Sequence, residues 1–437
     1  MEIGRRDILK VGGVLALAGG ATPALAQQPT PTVEPRSAFG PNDWARVRAQ
    51  FGLKSDRVDM SAMLIAAHPK AVREAIARHR DALDETPIEY LEQNNRRLQN
   101  IARERVGRYF GVAGTDVALT DSTTMGAGLV YNGLKLRPGQ EVLTTDRDYY
   151  VTHESLRLAS MRSGASVRRI RQPDPAKAGA GGLTQAVIGE IRPNTRVVAL
   201  TWVHSSTGLK MPIPAISQEI ARLNAGRAEA DRVLLAVDGV HGFGNQDVGL
   251  PELGCDLFFA GCHKWIFGPR GTGVVIGTKA GWDAMAPTIP TFLASDAYSG
   301  WISGSPASDC TGARLTPGGF KAFEHVWALS DAFVIHDWVG RKQVADRTAE
   351  LADQLKAGLA AMPNVTLATP RSRDLSAGIV SFEVAGMAPQ QTVAKLRDWK
   401  VIGSVAPYAR PLVRLTPSIR NTPDEVEFAL KAVRAMA

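Results

Sequence analysis

Between residues 116 and 277, seven short apolar runs follow one another, most of them separated by stretches with helical spacing. The runs are rich in Val, Leu and Ala and poor in charge, which is typical of strands buried on both faces of a sheet. Their alternation with helices predicts a mostly parallel, seven-stranded sheet covered on both sides by helices. The predicted strands are Asp116–Thr120, Glu141–Thr145, Ser166–Arg169, Arg196–Val203, Arg232–Val237, Asp256–Ala260 and Thr272–Gly277.

The rest of the chain predicts two flanking units. A long amphipathic helix from about Tyr90 to Phe110 precedes the sheet, and helices over 320–362 follow it. Two later strands, Gly378–Val384 and Pro411–Leu415, lie among further helices and predict a smaller α+β C-terminal domain. The predicted divisions are a signal peptide at 1–26, an N-terminal arm at 27–60, a large domain at 61–300 and a small domain at 301–437.

The first residues have the pattern of an export signal. Arg5 and Arg6 form a twin-arginine pair, an apolar run covers 11–21, and Ala24-Leu25-Ala26 offers a small-residue cleavage site. The apolar run is too short to span a bilayer. We therefore expect export in the folded state by the twin-arginine translocase, cleavage after Ala26 and a periplasmic protein.

Charge and cysteine content narrow the classes of partner. The chain of 437 residues carries a net charge of +8, but no stretch concentrates Lys and Arg with aromatic residues, so a nucleic-acid partner is not expected. The positive charge favours a small anionic substrate. Three cysteines are too few for a disulfide framework, and we expect buried free thiols. No metal site is predicted.

Two polar residues follow neighbouring apolar runs. Asp238 ends Val233-Leu234-Leu235-Ala236-Val237, and Lys264 lies 26 residues later, after Leu257-Phe258-Phe259-Ala260. A lysine that forms a Schiff base and a carboxylate that keeps a pyridine nitrogen protonated are what a pyridoxal phosphate (PLP) enzyme requires. The pair predicts PLP as cofactor.

A third segment fits a phosphate. Asp121-Ser122-Thr123-Thr124-Met125-Gly126 follows a strand and opens a helix, and a helix N-terminus with hydroxyl groups binds phosphate well. A capped helix start would look the same, and it is the presence of Lys264 and Asp238 that favours a phosphate site. The glycines of 268–273 follow the lysine segment and open a strand, which indicates a turn and not a dinucleotide fingerprint.

These motifs resemble the class V aminotransferase-like branch of fold-type-I PLP enzymes, which includes cysteine desulfurases, isopenicillin N epimerase and kynureninase. The resemblance runs from about residue 60 to the C-terminus and is most specific at Asp238-Gly239-Val240-His241 and Cys262-His263-Lys264. It implies the fold-type-I architecture, with Lys264 as the Schiff-base lysine and Asp238 as the partner of the pyridinium nitrogen. A twin-arginine signal on this fold is also similar to the periplasmic PLP enzymes of pyoverdine maturation.

The resemblance implies roles for further residues. His241 would face the phenolic oxygen of the cofactor, Tyr149 would stack on its ring, and Ser205 would also face it. The residues implied to bind the phosphate are Thr123, Thr124, Cys262 and His263.

Two more positions concern the substrate and the neighbouring subunit. Arg414 matches the arginine that grips the α-carboxylate of the substrate, a role that suits its bidentate fork. Thr316 matches a residue that reaches the phosphate held by the other subunit, so the resemblance implies a homodimer with composite sites.

The reaction itself stays open at this point. Amino-group chemistry on an amino acid or an amino-acid-containing natural product is favoured, as transamination, oxidative decarboxylation or epimerisation. The alternatives are a C–S lyase-type enzyme and a non-catalytic PLP-binding protein. Residues 403–410 lack the cysteine that desulfurases carry there, which disfavours desulfuration. Epimerisation would need a second proton donor, for which Tyr150, His153 and His204 are candidates.

Overall fold

The computed structural model describes residue 40, residues 43–306 and residues 309–436. The predicted signal peptide and residues 27–39, 41 and 42 of the predicted arm lie outside the described residues. In the part that is described, no helix is both long enough and apolar enough to cross a membrane.

The large sheet confirms the predicted α/β architecture. Within the described residues it has seven strands in the order β2-β8-β7-β6-β5-β3-β4. All neighbours pair in parallel except β8, which runs antiparallel to both β2 and β7. Each predicted strand is present, with its ends displaced by a few residues. The strands are β2 (Val117–Thr120), β3 (Glu141–Thr145), β4 (Ser166–Ile170), β5 (Thr195–Thr201), β6 (Leu234–Asp238), β7 (Leu257–Gly261) and β8 (Gly273–Gly277).

Helices cover this sheet. Its central strands β6, β7 and β8 are buried at every position, as expected for strands with helices on both faces. The helices from the N-terminus to the end of the sheet are α1 (Trp44–Ala49), α2 (Lys70–Glu85), α3 (Pro87–Phe110), α4 (Thr123–Gly133), α5 (Tyr150–Ser163), α6 (Pro175–Ile188), α7 (Ile213–Asn224), α8 (Leu250–Leu253) and α9 (Lys279–Asp283).

The predicted long helix is α3, which begins three residues earlier than expected. Pro87 occupies the first turn, where the missing N–H costs nothing. Gly111 ends the helix with φ +78°, a left-handed conformation that glycine adopts without a steric penalty.

The predicted helical region 320–362 is divided into three. The chain turns at Gly340, which has φ +95° and separates the second helix from the third. The helices of the C-terminal half are α10 (Ser295–Ser303), α11 (Gly312–Leu315), α12 (Phe323–Trp327), α13 (Leu329–Val339), α14 (Arg341–Ala360), α15 (Pro389–Asp398) and α16 (Pro423–Arg434).

The small domain contains an antiparallel sheet of four strands in the order β12-β13-β10-β9. The sequence predicted only two of these four strands, at Gly378–Val384 and Pro411–Leu415, which are the longest or most apolar. A separate parallel pair joins β1 to β11, so residues just before the predicted large domain pack with the small one. The strands are β1 (Val58–Asp59), β9 (Val365–Leu367), β10 (Val380–Val384), β11 (Val401–Ile402), β12 (Ser404–Val405) and β13 (Val413–Leu415).

Two main hydrophobic clusters show where each unit has its core. The cluster around β6 and β7 extends through Leu329 and Phe333 of α13. The cluster of the small domain begins with Leu351 of α14 and also includes Val58 and Met60. The predicted boundary at 300/301 falls inside α10, and the domain limits stay a prediction.

Candidate cofactor site

The carboxyl ends of β5, β6 and β7 meet the N-terminus of α4 around one cavity. Parallel strands end at the same edge of a sheet, which is where open α/β sheets bind ligands. Of the eleven residues predicted from the sequence, nine line this cavity: Thr123, Thr124, Tyr149, Ser205, Asp238, His241, His263, Lys264 and Arg414. The structure therefore brings together most of the predicted site.

Asp238 and Lys264 form the buried ionisable pair of the cavity. Asp238 ends β6, is 2% exposed and accepts a hydrogen bond from the backbone N–H of Val240 through Oδ1 at 3.1 Å. Burial raises the pKa of the Asp238 carboxyl, and burial lowers the pKa of the Lys264 ammonium. The charge of Lys264 lowers the pKa of Asp238, and the charge of Asp238 raises the pKa of Lys264, so each charge opposes the effect of burial on its partner. A nucleophilic lysine needs such a lowered pKa.

His241 lies beside Lys264. The Lys264 Nζ atom is 3.4 Å from His241 Nε2, and Trp265 donates through Nε1 to His241 Nδ1, also at 3.4 Å. Burial is the main cause that lowers the pKa of His241 well below its usual range, and the charges of Lys264 and Arg414 lower it further. The imidazole is therefore neutral and can hydrogen-bond to an oxygen without adding charge.

The predicted phosphate-binding segment is the N-terminus of α4. Ser122 caps the helix by accepting from the Met125 N–H, and Thr123 Oγ1 accepts from the Gly261 N–H at 2.9 Å. The second contact fixes the helix start against the end of β7, which leads to Lys264. The first turn of a helix leaves backbone N–H groups without intrahelical partners, and these attract an anion.

Of the two residues before Lys264, His263 lines the cavity and Cys262 lies in the core. His263 lines the cavity, and burial lowers its pKa to about 4, with further lowering by Lys264 and Arg270. Cys262 does not line the cavity. Its side chain is fully buried in the large core, where burial raises the pKa of the thiol to about 12. The phosphate-binding role implied for Cys262 therefore stays a prediction.

Arg414 lies on β13 of the small domain and points its guanidinium to the cavity. It is 2% exposed and donates to three neutral oxygens: the Ser205 carbonyl at 2.8 Å, the Val405 carbonyl at 3.0 Å and Ser404 Oγ at 3.2 Å. Burial lowers its pKa to about 10. Across 43–306 and 309–436, no carboxylate forms an ion pair with it, so a buried cation faces the cavity without an anion.

Thr316 has hydrogen-bond partners within its own chain. Its side chain is 1% exposed, its hydroxyl donates to the Gly312 carbonyl at 2.8 Å and it accepts from the Leu119 N–H at 3.1 Å. A hydroxyl used in this way holds α11 against β2. Thr316 does not line the cavity, and its role toward a second subunit stays a prediction.

Sequence reasoning missed Asp148. Its Oδ2 accepts from Thr144 Oγ1, from Thr145 Oγ1 and from the Thr145 N–H, each at 2.8 Å, and its Oδ1 accepts from the Thr201 N–H at 2.6 Å. This fully bonded carboxylate fixes the turn that presents Tyr149. In the sequence it resembles any acidic turn residue after a strand.

The three candidates for a second proton donor lie elsewhere. Tyr150 is 68% exposed, and His153 is bonded through Nε2 to the Thr145 carbonyl at 2.8 Å. His204 is buried, and burial lowers its pKa. None of the three lines the cavity. Tyr408, which the sequence did not indicate, approaches the cavity instead: its hydroxyl is 2.7 Å from Ser205 Oγ and its ring centroid is 5.8 Å from that of Tyr149.

The residues present fit PLP. Its pyridinium nitrogen requires a buried carboxylate, its aldehyde a lysine of lowered pKa, its phosphate a helix N-terminus and its ring an aromatic neighbour. The cavity supplies Asp238, Lys264, the start of α4 and Tyr149. Among the described residues, the Asp238 side chain accepts one hydrogen bond, from the Val240 N–H, which leaves the carboxylate with capacity for another donor.

Comparison with known proteins agrees with this chemistry. The model of the aminotransferase class-V family matches residues 69–403, so the chain belongs to this family of PLP-dependent enzymes. Its cofactor is therefore PLP, and a non-catalytic PLP-binding protein is no longer a competing interpretation.

Relatives and solved structures span most of the chain. Isopenicillin N epimerase of Streptomyces clavuligerus is 27% identical over 410 residues, which are 90% of this chain and 98% of the relative. A structure of a C-DES variant with glycine linked covalently to its PLP cofactor has a TM-score of 0.79 at 21% identity, covering 88% of this chain and 98% of that one. The structure of the cysteine desulfurase CsdA from Escherichia coli has a TM-score of 0.74 at 19% identity, and the match covers 90% of this chain and 98% of that one. At such identities the structures show the shared fold.

Proposed function

We propose that the protein catalyses a reaction at the amino group or Cα of an amino acid, or of a natural product that contains one. The observation that carries this proposal is the buried guanidinium of Arg414, which faces the same cavity as Lys264 and Asp238 and has no carboxylate partner in the described part of the chain. A buried charge without a partner is costly, and a substrate carboxylate would compensate it.

Each residue has a distinct task in this proposal. Bound PLP withdraws electrons from whichever Cα bond breaks. The Asp238 carboxylate would hold the proton on the pyridine nitrogen, and the neutral His241 would donate to the phenolic oxygen. Lys264 Nζ would anchor the cofactor and, once the substrate amine has displaced it, move a proton to or from Cα. Arg414 would orient the carboxylate and so select the bond.

Transamination, oxidative decarboxylation and epimerisation are the candidate reactions. Epimerisation receives support from the relative named isopenicillin N epimerase. Desulfuration is disfavoured, because the three cysteines Cys255, Cys262 and Cys310 are all buried and none lines the cavity. A C–S lyase reaction that uses no enzyme thiol is the second candidate.

The experiment is a survey of substrates with purified holoenzyme. D- and L-amino acids and small amino-acid conjugates would be incubated with the enzyme while ammonia, keto acid, carbon dioxide, pyruvate and inverted product are measured. We expect turnover by the native chain and none by Lys264→Ala. Turnover of amines and not of amino acids would contradict the role given to Arg414.

We also propose a homodimer. Support comes from three large apolar side chains that are about two thirds to three quarters exposed: Phe292 at 72%, Trp301 at 69% and Phe320 at 78%. The segments of Phe292 and Phe320 are joined by a hydrogen bond from the Gly318 N–H to the Pro290 carbonyl at 2.7 Å. Large exposed apolar side chains are typical of protein interfaces. Light scattering should give a dimer for the native chain and a monomer for Trp301→Asp with Phe320→Asp.

Periplasmic location is a further proposal that rests on the twin-arginine pattern alone. Fractionation of cells that express the full chain tests it. Arg5→Lys with Arg6→Lys should retain the protein in the cytoplasm with 1–26 still attached, and equal export of that variant would contradict the proposal.

A further inference from the structure

One large-domain residue contacts the small domain in two ways at the edge of the cavity. Ser205 follows β5, and its side-chain oxygen is 2.7 Å from the hydroxyl of Tyr408. Its backbone carbonyl accepts from Arg414 Nη1 at 2.8 Å. The phenol and the guanidinium, both from the small domain, are therefore held by the same residue.

Tyr408 belongs to the segment 406–412, which connects β12 to β13. The segment is closed at its base by a hydrogen bond from the Ala406 N–H to the Leu412 carbonyl at 2.8 Å. Beyond that bond, Pro407 lines the cavity and Tyr408 reaches across to Ser205. The hydrogen bond between Tyr408 and Ser205 thus spans the two domains next to Pro407, which lines the cavity.

The same segment leads directly into the strand that carries the carboxylate arginine. Arg414 follows Leu412 by two residues and pairs with Ser404 of β12. Its Nη2 atom donates to the Val405 carbonyl at 3.0 Å. Both acceptors are thus attached to 406–412: Val405 directly precedes the segment, and Ser205 is hydrogen-bonded to Tyr408 within it.

We propose that Tyr408 is a positioning residue that, through its hydrogen bond to Ser205, holds the segment 406–412 against the large domain and sets the affinity of Arg414 for the carboxylate of the substrate. This inference rests on the proposed function, since it assumes that a carboxylate binds at Arg414. It adds a residue to the site that acts on substrate affinity without contacting the reacting atoms.

Two variants remove the hydrogen bond from opposite ends. Tyr408→Phe keeps the ring near Tyr149 but loses the hydroxyl, and Ser205→Ala keeps the carbonyl that accepts from Arg414 but loses the side-chain oxygen. Arg410→Gln is the matched control, because Arg410 lies in the same segment but forms its ion pair with Glu383 at the surface.

The first measurement is hydrogen–deuterium exchange of the holoenzyme, which does not depend on turnover. We expect faster exchange of the amides of 406–412 in Tyr408→Phe and in Ser205→Ala, and unchanged exchange in Arg410→Gln. The double variant should match either single one, since all remove the same bond. Unchanged exchange in Tyr408→Phe, or additive effects in the double variant, would overturn the proposal.

The second measurement compares ligands with and without a carboxylate. The affinity of the holoenzyme for an L-amino acid and for the amine that lacks its carboxyl group is followed through the absorption of the cofactor. In Tyr408→Phe, loss of the hydrogen bond should weaken binding of the amino acid about three- to tenfold, with binding of the amine and the amount of bound PLP unchanged. Equal weakening of both ligands, or of neither, would overturn the effect on Arg414. If the native holoenzyme bound the amine as tightly as the amino acid, the proposed function would fail, and the exchange measurement would still decide whether Tyr408 holds the segment.

Discussion

Arg414 donates to the backbone carbonyl of Ser205 across 2.8 Å, and this contact joins the small domain to the large one beside Lys264. Within 43–306 and 309–436, the acceptors of the guanidinium are neutral oxygens, and burial lowers the pKa of Arg414 to about 10. The site therefore maintains an uncompensated cation, which costs stability and favours an anionic ligand.

Replacement of Arg414 should separate binding from stability. Arg414→Gln removes the buried charge, so we expect an unfolding temperature equal to or above that of the native chain, while affinity for an amino acid falls about tenfold or more. Arg414→Lys keeps a charge but loses the fork and should recover only part of the affinity. Thermal unfolding and ligand titration of the holoenzyme measure the two effects. A large loss of stability in Arg414→Gln would show that the residue is structural.

Replacement of the carboxylate at the end of β6 should affect chemistry more than folding. Asp238→Asn can still accept from the Val240 N–H, so we expect nearly unchanged unfolding of the apoenzyme. Without a negative charge the pyridine nitrogen loses its proton, and turnover should fall on the order of a hundredfold or more. Steady-state kinetics at saturating PLP test this. Near-native turnover would assign the role of Asp238 to another group.

The fold was predictable because its signals are local. Seven apolar runs predict the strands. Asp238 and Lys264 follow neighbouring runs, and the carboxyl ends of parallel strands meet at one edge of a sheet. β8 runs antiparallel, which its sequence does not reveal, since direction depends on pairing with β2 and β7.

The parts of the site that escaped prediction depend on long-range contacts. Tyr408 and Ser205 are 203 residues apart, and nothing near either residue indicates the other. Asp148 accepts a hydrogen bond from the Thr201 N–H on a separate strand, and this contact cannot be predicted from the residues around Asp148. The burial of Thr316 and Cys262 also could not be predicted from local sequence, because it depends on the elements that pack around them.

The glycine after Asp238 is required by packing. A Cβ at Gly239 would overlap the ring of Phe258, whereas a Cβ at Gly128 in α4 would have no heavy atom within 4 Å. We expect Gly239→Ala to lower the free energy of unfolding by about 1–3 kcal/mol. Gly128→Ala should be neutral or stabilise by about 0.5–1 kcal/mol, because alanine favours the helix. Urea unfolding of the apoenzymes compares the pair, and equal effects would contradict this assignment.

The pH dependence of cofactor attachment should report the burial of Lys264. Only the neutral amine attacks the aldehyde, so the rate at which apoenzyme binds PLP covalently should rise with pH as Lys264 loses its proton. Because burial lowers the pKa of Lys264, the midpoint should lie below the value of about 10.4 for an exposed lysine. The negative charge of Asp238 raises the pKa of Lys264, so Asp238→Asn should move the midpoint to lower pH. Borohydride trapping of apoenzyme mixed with PLP between pH 6 and 10 measures both midpoints. A midpoint near that of free lysine, or a shift to higher pH in Asp238→Asn, would show that the two groups do not interact as the structure indicates.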